Sequence, residues 1–214
     1  MNKEMIDIYD ENLKRIGTVS RDEANNSGVW HRSIHIWIVR PIMNGFVLFQ
    51  KRGRDQKLFP NLLDVSAAGH YQSGENVREG VREIFEELGI YVTYEELVPL
   101  GIKIDVAKIG DITNREFCDV FLLLRSESPE EYHMDPSEVE GLVQIKIGDG
   151  LKLFCGEVDQ VPAEGVKWLK EKNTWNKIRI NVRISDFVPR VDPYYFKIFI
   201  MAKALISKEK YLSI

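Results

Sequence analysis

An α+β fold is predicted for this 214-residue chain. Two patterns carry the prediction: β-rich runs flank one strongly periodic helix instead of alternating with several, and a second apolar helix closes the sequence. No internal repeat or low-complexity tract argues for an array. With 44% hydrophobic residues the chain can bury a full core. It reads as a single domain, 1–214, with a core over about 30–150, an N-terminal β-hairpin in 1–20 and a C-terminal helical extension over 151–214.

In chain order, "MIDIYDENLKRIGTVS" is a hairpin: Ile6 and Ile8 alternate with polar residues, Asp10-Glu11-Asn12 turns, and Ile16 to Val19 return. It is expected to be a small β appendage. "RDEANNSGVW" reads as a polar loop, and "SIHIWIVR" and "FVLFQKR" as core strands joined through Pro41 to Gly45. Val77, Val81, Ile84, Phe85 and Leu88 recur at helical spacing, and Asn76 with Glu79 fits a capping box. The glutamates of this helix are assigned to its opposite face. "LVPLGIKIDVAKI", "EFCDVFLLLR" and "GLVQIKI" are further strands, whereas 148–188 has no legible pattern. Asp192-Pro193 is read as an N-cap and first turn before "YYFKIFIMAKALISKEKYL". The apolar residues of that helix and of Trp168 to Trp175 suit packing on the core or on a second subunit, which leaves a homodimer open.

The charge balance excludes some partners. Lys plus Arg total 29 against 33 Asp plus Glu, a formal net charge of −4, with no long basic run, so bulk attraction to a nucleic acid polymer or an anionic membrane is not expected. No apolar run approaches the ~18 residues needed to span a bilayer, and "MNKEMIDIYDEN" has no apolar signal core, so a cytoplasmic location is expected. Cys118 and Cys155 are read as reduced thiols.

The chemistry concentrates in "GHYQSGENVREGVREIFEELGI", residues 69–90. Glu83 with Glu86 and Glu83 with Glu87 are like-charge helix neighbours, each pair costing ~0.2–0.5 kcal/mol. Gly89 ends the helix in the left-handed region, which sets Glu86 and Glu87 where the macrodipole already favours cations. A hard divalent cation reverses that cost. Mg²⁺ takes oxygen ligands and commonly bridges one or two protein carboxylates to substrate phosphates. Gly69 and Gly74, in the preceding loop, let backbone approach a phosphate. A solvated acidic face is the competing reading.

The segment resembles the Nudix hydrolase signature, G-x5-E-x7-R-E-U-x-E-E-x-G-U with U aliphatic. Gly69, Glu75, Arg82, Glu83, Ile84, Glu86, Glu87, Gly89 and Ile90 occupy its positions. Only six residues, Asn76 to Val81, separate Glu75 from Arg82, one fewer than the pattern; the deletion falls at the helix start and bears on Glu75. "HRSIHIWIV", "LFPNLLDVSAAGH" and "REFCDVF" resemble the branch that includes isopentenyl diphosphate isomerases and their hydrolase relatives, the likeness covering about residues 4–147. In the isomerases a catalytic cysteine precedes the Gly-His pair; here that position is Ala68. His31, His70 and Glu116 match positions of the isomerase metal site, where Asn114 replaces a second glutamate.

The resemblance implies an α/β/α sandwich with a mixed central sheet and a Mg²⁺-assisted attack of water on a small-molecule diphosphate, with Mn²⁺ as a substitute ion. It implies Glu83, Glu86 and Glu87 as metal ligands, with Arg82 and Glu75 supporting them. The general base comes from the signature helix or from outside it, where Glu116 and Glu138 are the candidates. His70, beside Gly69, touches phosphate or metal, or simply bonds loop backbone. Lys51 and Arg52, with Arg54, form a basic cluster suited to a distal phosphate, with solvated surface charge as the alternative. An isomerase of allylic diphosphates and a non-catalytic ligand-binding Nudix module are the other readings; Ala68 weighs against the first and the intact "REIFEELG" against the second.

Overall fold

The computed structural model describes residues 4–56, 58–110 and 112–214. The first three residues of the N-terminal hairpin segment and Lys57 of the basic stretch lie outside them.

Alternating apolar residues place eleven strands in one sheet: β1 Met5–Tyr9, β2 Arg15–Ser20, β3 Trp30–Arg40, β4 Phe46–Arg52, β5 Leu63–Asp64, β6 Ala67–His70, β7 Leu97–Ile109, β8 Ile112–Leu124, β9 Val139–Lys146, β10 Val161–Leu169 and β11 Thr174–Val182. The helices are α1 Arg21–Ser27, α2 Arg82–Leu88, α3 Ile147–Phe154 and α4 Tyr194–Ile206. The main strand order is β11-β10-β9-β4-β3-β1-β2, with β5 on β4, β6 and β8 on β3, and β7 on β8. The sheet is mixed because β3 and β8 run parallel while the other pairs are antiparallel.

Period-two alternation splits the central strands between two cores. Trp37, Phe49, Val120 and Leu122 pack with Tyr194, Ile198 and Phe199 of α4 on one face. Ile34, Ile36, Ile38, Phe121 and Leu123 pack with Val81, Ile84 and Leu88 on the other. This is the predicted sandwich.

Several local expectations are corrected. "RDEANNS" is a helix, not a loop: Ser20 accepts a hydrogen bond from the Glu23 N–H at 3.3 Å, Asp22 and Glu23 sit in the positive first turn, and Gly28 ends it at φ 65°. The N-terminal hairpin is no appendage, since Ile8 and Tyr9 pair with His31 and Trp30 and the Met5 carbonyl accepts the Ser73 N–H at 2.8 Å. The signature helix is shorter than its periodicity and only half of the expected capping box forms: Glu79 accepts the Asn76 N–H at 2.9 Å, whereas Asn76 Oδ1 accepts the Arg78 N–H at 2.9 Å, Glu79–Val81 forms a 3-10 turn, and the α-helix begins at Arg82. Phe85, expected in the core, is 42% exposed and stacks on Tyr91 with ring centroids 4.2 Å apart. The illegible stretch holds α3 and the hairpin β10–β11, which extends the central sheet through β9. Pro193 caps α4 one residue later than expected.

Candidate active site

The signature loop and α2 are bound together by Arg82. Its Nε and a terminal nitrogen donate to the two Glu75 carboxylate oxygens at 2.8 and 3.1 Å. Its other terminal nitrogen lies 2.9 Å from Glu86 and 2.8 Å from Glu83, and the His70 carbonyl accepts at 3.1 Å. Glu75 also takes the Gln72 N–H at 2.7 Å. The one-residue deletion therefore leaves Glu75 in a bidentate pair, the strongest arrangement open to a guanidinium and a carboxylate.

The three predicted ligands stand in different surroundings. Glu86 is exposed at the helix end before Gly89, whose φ is 69°. Glu83 lies against the backbone of β6, so close that a Cβ on Gly69 would collide with its carboxyl group where it now stands; a larger residue there would displace that carboxylate. Burial, countered by Arg82 and reinforced by Glu86, lifts Glu83 to about 7. Glu87 is buried, contrary to the expectation that all the helix glutamates face outward. It accepts the Ala68 N–H at 2.9 Å and Gln50 Nε2 at 3.1 Å. Burial raises Glu87 well above the usual carboxylate range, and the charges of Glu83 and Glu138 push in the same direction. Glu87 is buried and Glu83 half-buried and paired with Arg82; carboxylates of this kind suit a hard divalent ion, but the groups of described residues whose ligand atoms lie within 4.8 Å of one another do not include Glu83, Glu86 and Glu87.

Glu138 follows the turn begun at Asp135. Burial first, then Asp135 and Glu86, raise its carboxyl, so it belongs to the acidic-helix side. Glu116 does not. It faces α4, registered with His31 across the parallel β3–β8 pair. His70 Nε2 is 3.0 Å and His31 Nε2 3.5 Å from its Oε1, and Ser33 Oγ and Cys118 Sγ approach Oε2 at 3.3 and 3.6 Å. Burial would raise Glu116, but the two imidazoles outweigh it and hold it well below the ordinary range. Ligand atoms of His31, His70 and Glu116 lie within 4.8 Å of one another, and His31 Nε2 and His70 Nδ1 lack hydrogen-bond partners among the described residues. Strand β6 thus serves both faces: Gly69 meets Glu83 and His70 meets Glu116.

Arg52 is committed to Asp64 at 3.3 Å and to the Leu58 carbonyl, and Arg54 to Glu140 at 2.8 Å. Of the basic cluster predicted to meet phosphate, only half-buried Lys51 is not drawn into such a pair among the described residues. His35 is structural: Nδ1 lies 2.9 Å from Tyr194 Oη, which also accepts Trp37 Nε1 at 2.9 Å, and burial depresses it to about 4. Sequence reasoning missed Gln50, which steadies Glu87, and the buried cluster of Asp64, Lys103, Asp105 and Arg190 beneath α4. Their partners are distant in sequence, so no local spacing marks them.

Sandwich, acidic helix and Arg82-braced glycine loop define a Nudix protein, and the comparisons agree: the chain belongs to the Nudix hydrolase family. It is 38% identical over 196 residues to an uncharacterized Nudix hydrolase of Clostridium acetobutylicum, covering 91% of this chain and 95% of that one. It is 29% identical to Nudix hydrolase 3 of Arabidopsis thaliana over 151 residues, 68% of this chain but 19% of the plant protein. Profiles of known protein families give no match. Among solved structures, a Deinococcus radiodurans protein aligns with TM-score 0.55 and 23% identity over 72% of this chain and 90% of its own. A Nudix hydrolase of Alicyclobacillus acidocaldarius aligns with TM-score 0.52 and 12% identity over 86% and 96%. These two share the fold.

Proposed function

We propose that this Nudix protein is a Mg²⁺-dependent hydrolase that splits the diphosphate linkage of a small organic diphosphate, Mn²⁺ being able to replace Mg²⁺. The observation that carries the reading is the placement of half-buried Glu83 and buried Glu87 against the Gly69 and Ala68 backbone. Glu83, Glu86 and Glu87 would hold the metal. A bound divalent cation supplies charge neutralisation of the diphosphate and a lowered pKa for water. Arg82 positions Glu83 and Glu86, and Glu75 fixes Arg82. Glu138 is preferred over Glu116 as general base, because it shares the acidic-helix side and burial, Asp135 and Glu86 raise its carboxyl. Gly69, His70 and Lys51 would meet the phosphates, while Arg52 contributes charge from its Asp64 pair. A cytoplasmic location belongs to this reading; no helix among the described residues is long and apolar enough to cross a membrane.

A screen of nucleoside, sugar, prenyl and coenzyme diphosphates with Mg²⁺, read by phosphate release, tests the proposal. Metal-dependent cleavage of at least one class is expected, and none would contradict it. Millimolar Mg²⁺ or Mn²⁺ should also raise the melting temperature, since a ligand bound only by the native state stabilises it by about 2.7 kcal/mol at one hundred times its Kd. No shift, with or without a diphosphate, would favour a merely solvated acidic face.

The His31–His70–Glu116 cluster favours a second reading, an isomerase of allylic diphosphates. Ala68 offers no thiol, and the Cys118 thiol near Glu116 is pushed well up by burial and by that carboxylate. Incorporation of solvent deuterium into isopentenyl diphosphate is therefore expected to stay at the uncatalysed rate. Incorporation that Glu116→Gln abolishes would establish the isomerase instead.

A further inference from the structure

The signature loop is tied to the N-terminal hairpin through one carboxylate. Asp7 of β1 stands opposite Thr18 of β2, its side chain only 11% exposed. Arg15 Nε lies 2.8 Å from Asp7 Oδ2, and a terminal Arg15 nitrogen and Thr18 Oγ1 donate to Oδ1 at 3.1 and 2.9 Å. Those bonds are internal to the hairpin. The others cross to a segment 66 and 67 residues further along: Ser73 Oγ donates to Oδ1 at 2.8 Å and the Gly74 N–H to Oδ2 at 3.2 Å. With the Ser73 N–H on the Met5 carbonyl at 2.8 Å, the loop is pinned to β1 by two backbone groups and a hydroxyl. A carboxylate offers about four acceptor sites, so Asp7 is fully engaged between hairpin and loop.

The loop so held carries Glu75. Gly74 stands at φ 86° with open space where a Cβ would go, so the left-handed backbone rather than crowding favours glycine there. The Glu75 N–H bonds the Gln72 carbonyl at 2.9 Å and the Glu75 carboxylate takes the Gln72 N–H at 2.7 Å, closing residues 72–75 into a tight turn. Glu75 grips Arg82 through both carboxylate oxygens, and Arg82 in turn holds Glu83 and Glu86. A continuous chain of bonds therefore runs from Asp7 through Ser73, Gly74, Glu75 and Arg82 to two of the acids on α2.

We propose that Asp7 is a positioning residue for the hydrolysis proposed above, on which this inference rests: it fixes the 72–75 turn so that Glu75 meets Arg82 in the geometry that sets Glu83 and Glu86. The Arg15 hydrogen bond, joined against burial by Ser73, Thr18 and the Gly74 N–H, holds the Asp7 carboxyl far below the usual range. Its bonds to the loop are thus charge-assisted at neutral pH, about twice as strong as neutral ones. The hairpin acts on the acidic helix without touching it.

The Arg82 Nε–H resonance of ¹⁵N-labelled, metal-free protein, assigned by its loss in Arg82→Lys, reports the Glu75 pair without any catalytic assay. In Asp7→Ala this proton should exchange with water several-fold faster than in wild type, and Ser73→Ala should shift it the same way in smaller measure. Arg15→Met, which removes the ion pair inside the hairpin and leaves the bonds to Ser73 and Gly74, should keep wild-type exchange. With a diphosphate substrate, Asp7→Ala should lower kcat by about 10–100-fold, the usual consequence of removing a group that orients metal ligands, with KM little changed. Unchanged Arg82 exchange in both Asp7→Ala and Ser73→Ala, or faster exchange with wild-type kcat, would overturn the proposal, as would an equal loss in Arg15→Met, which would make Asp7 a staple of the hairpin alone. A wild type that cleaves no diphosphate, while Asp7→Ala still frees the Arg82 proton, would instead contradict the hydrolase reading and leave the hold of Asp7 on Arg82 established.

Discussion

Glu87→Gln is expected to lower diphosphate turnover by about 10²–10⁴-fold while leaving the protein as stable as wild type or more so. The amide keeps an oxygen for the Ala68 N–H but gives up a charge that burial disfavours and that Glu83 and Glu138 oppose. Glu86→Gln should lose activity comparably, having removed a proposed ligand from the helix end. Glu79→Gln is the control: its carboxylate caps the Asn76 N–H at 2.9 Å outside the acidic cluster, and the variant should keep near-normal turnover. Steady-state rates beside thermal melts separate the cases. Wild-type activity in both Glu86→Gln and Glu87→Gln would remove these residues from the mechanism.

On the opposite face, Arg190→Met should destabilise the fold by ~3–5 kcal/mol, the usual consequence of removing one partner from a buried charge pair. Arg190 bridges Asp64 and Asp105 and anchors the segment leading into α4. Burial would raise Asp64, yet Arg190 and Arg52 hold it low, so it stays charged and loses its main partner in the variant. Urea unfolding measures the loss. Adding Asp64→Asn and Asp105→Asn should recover part of it, because the stranded charges then disappear. A loss below 1 kcal/mol would show that solvent reaches the cluster.

These two sites differ in how far the sequence reveals them. The acidic helix was legible because its chemistry is local: Arg82, Glu83, Glu86 and Glu87 act within two turns of one another, and Gly89 marks the helix end. Strands such as β3 and β8 were legible from their apolar runs. What the sequence concealed is which face a residue takes and what it meets there. Glu87 looked exterior by helical period, but Gln50 and the Ala68 N–H draw it inward. Glu116 looked like an alternative base, but its strand parity turns it toward α4 and the imidazoles. The β10–β11 hairpin escaped because Gly165 and Lys167 break the alternation of β10, and α1 because its only buried residue is Ala24, leaving no apolar stripe. Arg190 gave no signal, since its partners lie 85 and 126 residues away.

The central claim is that acids on α2 activate water for attack on a diphosphate. Cleavage of the best substrate from the diphosphate screen in H₂¹⁸O with Mg²⁺ tests it most directly, by mass spectrometry of the phosphate-bearing products. The account predicts ¹⁸O in one product, dependence on the metal, and loss of labelling rate in Glu87→Gln. Unlabelled products, or labelling at the wild-type rate in Glu87→Gln, would contradict it.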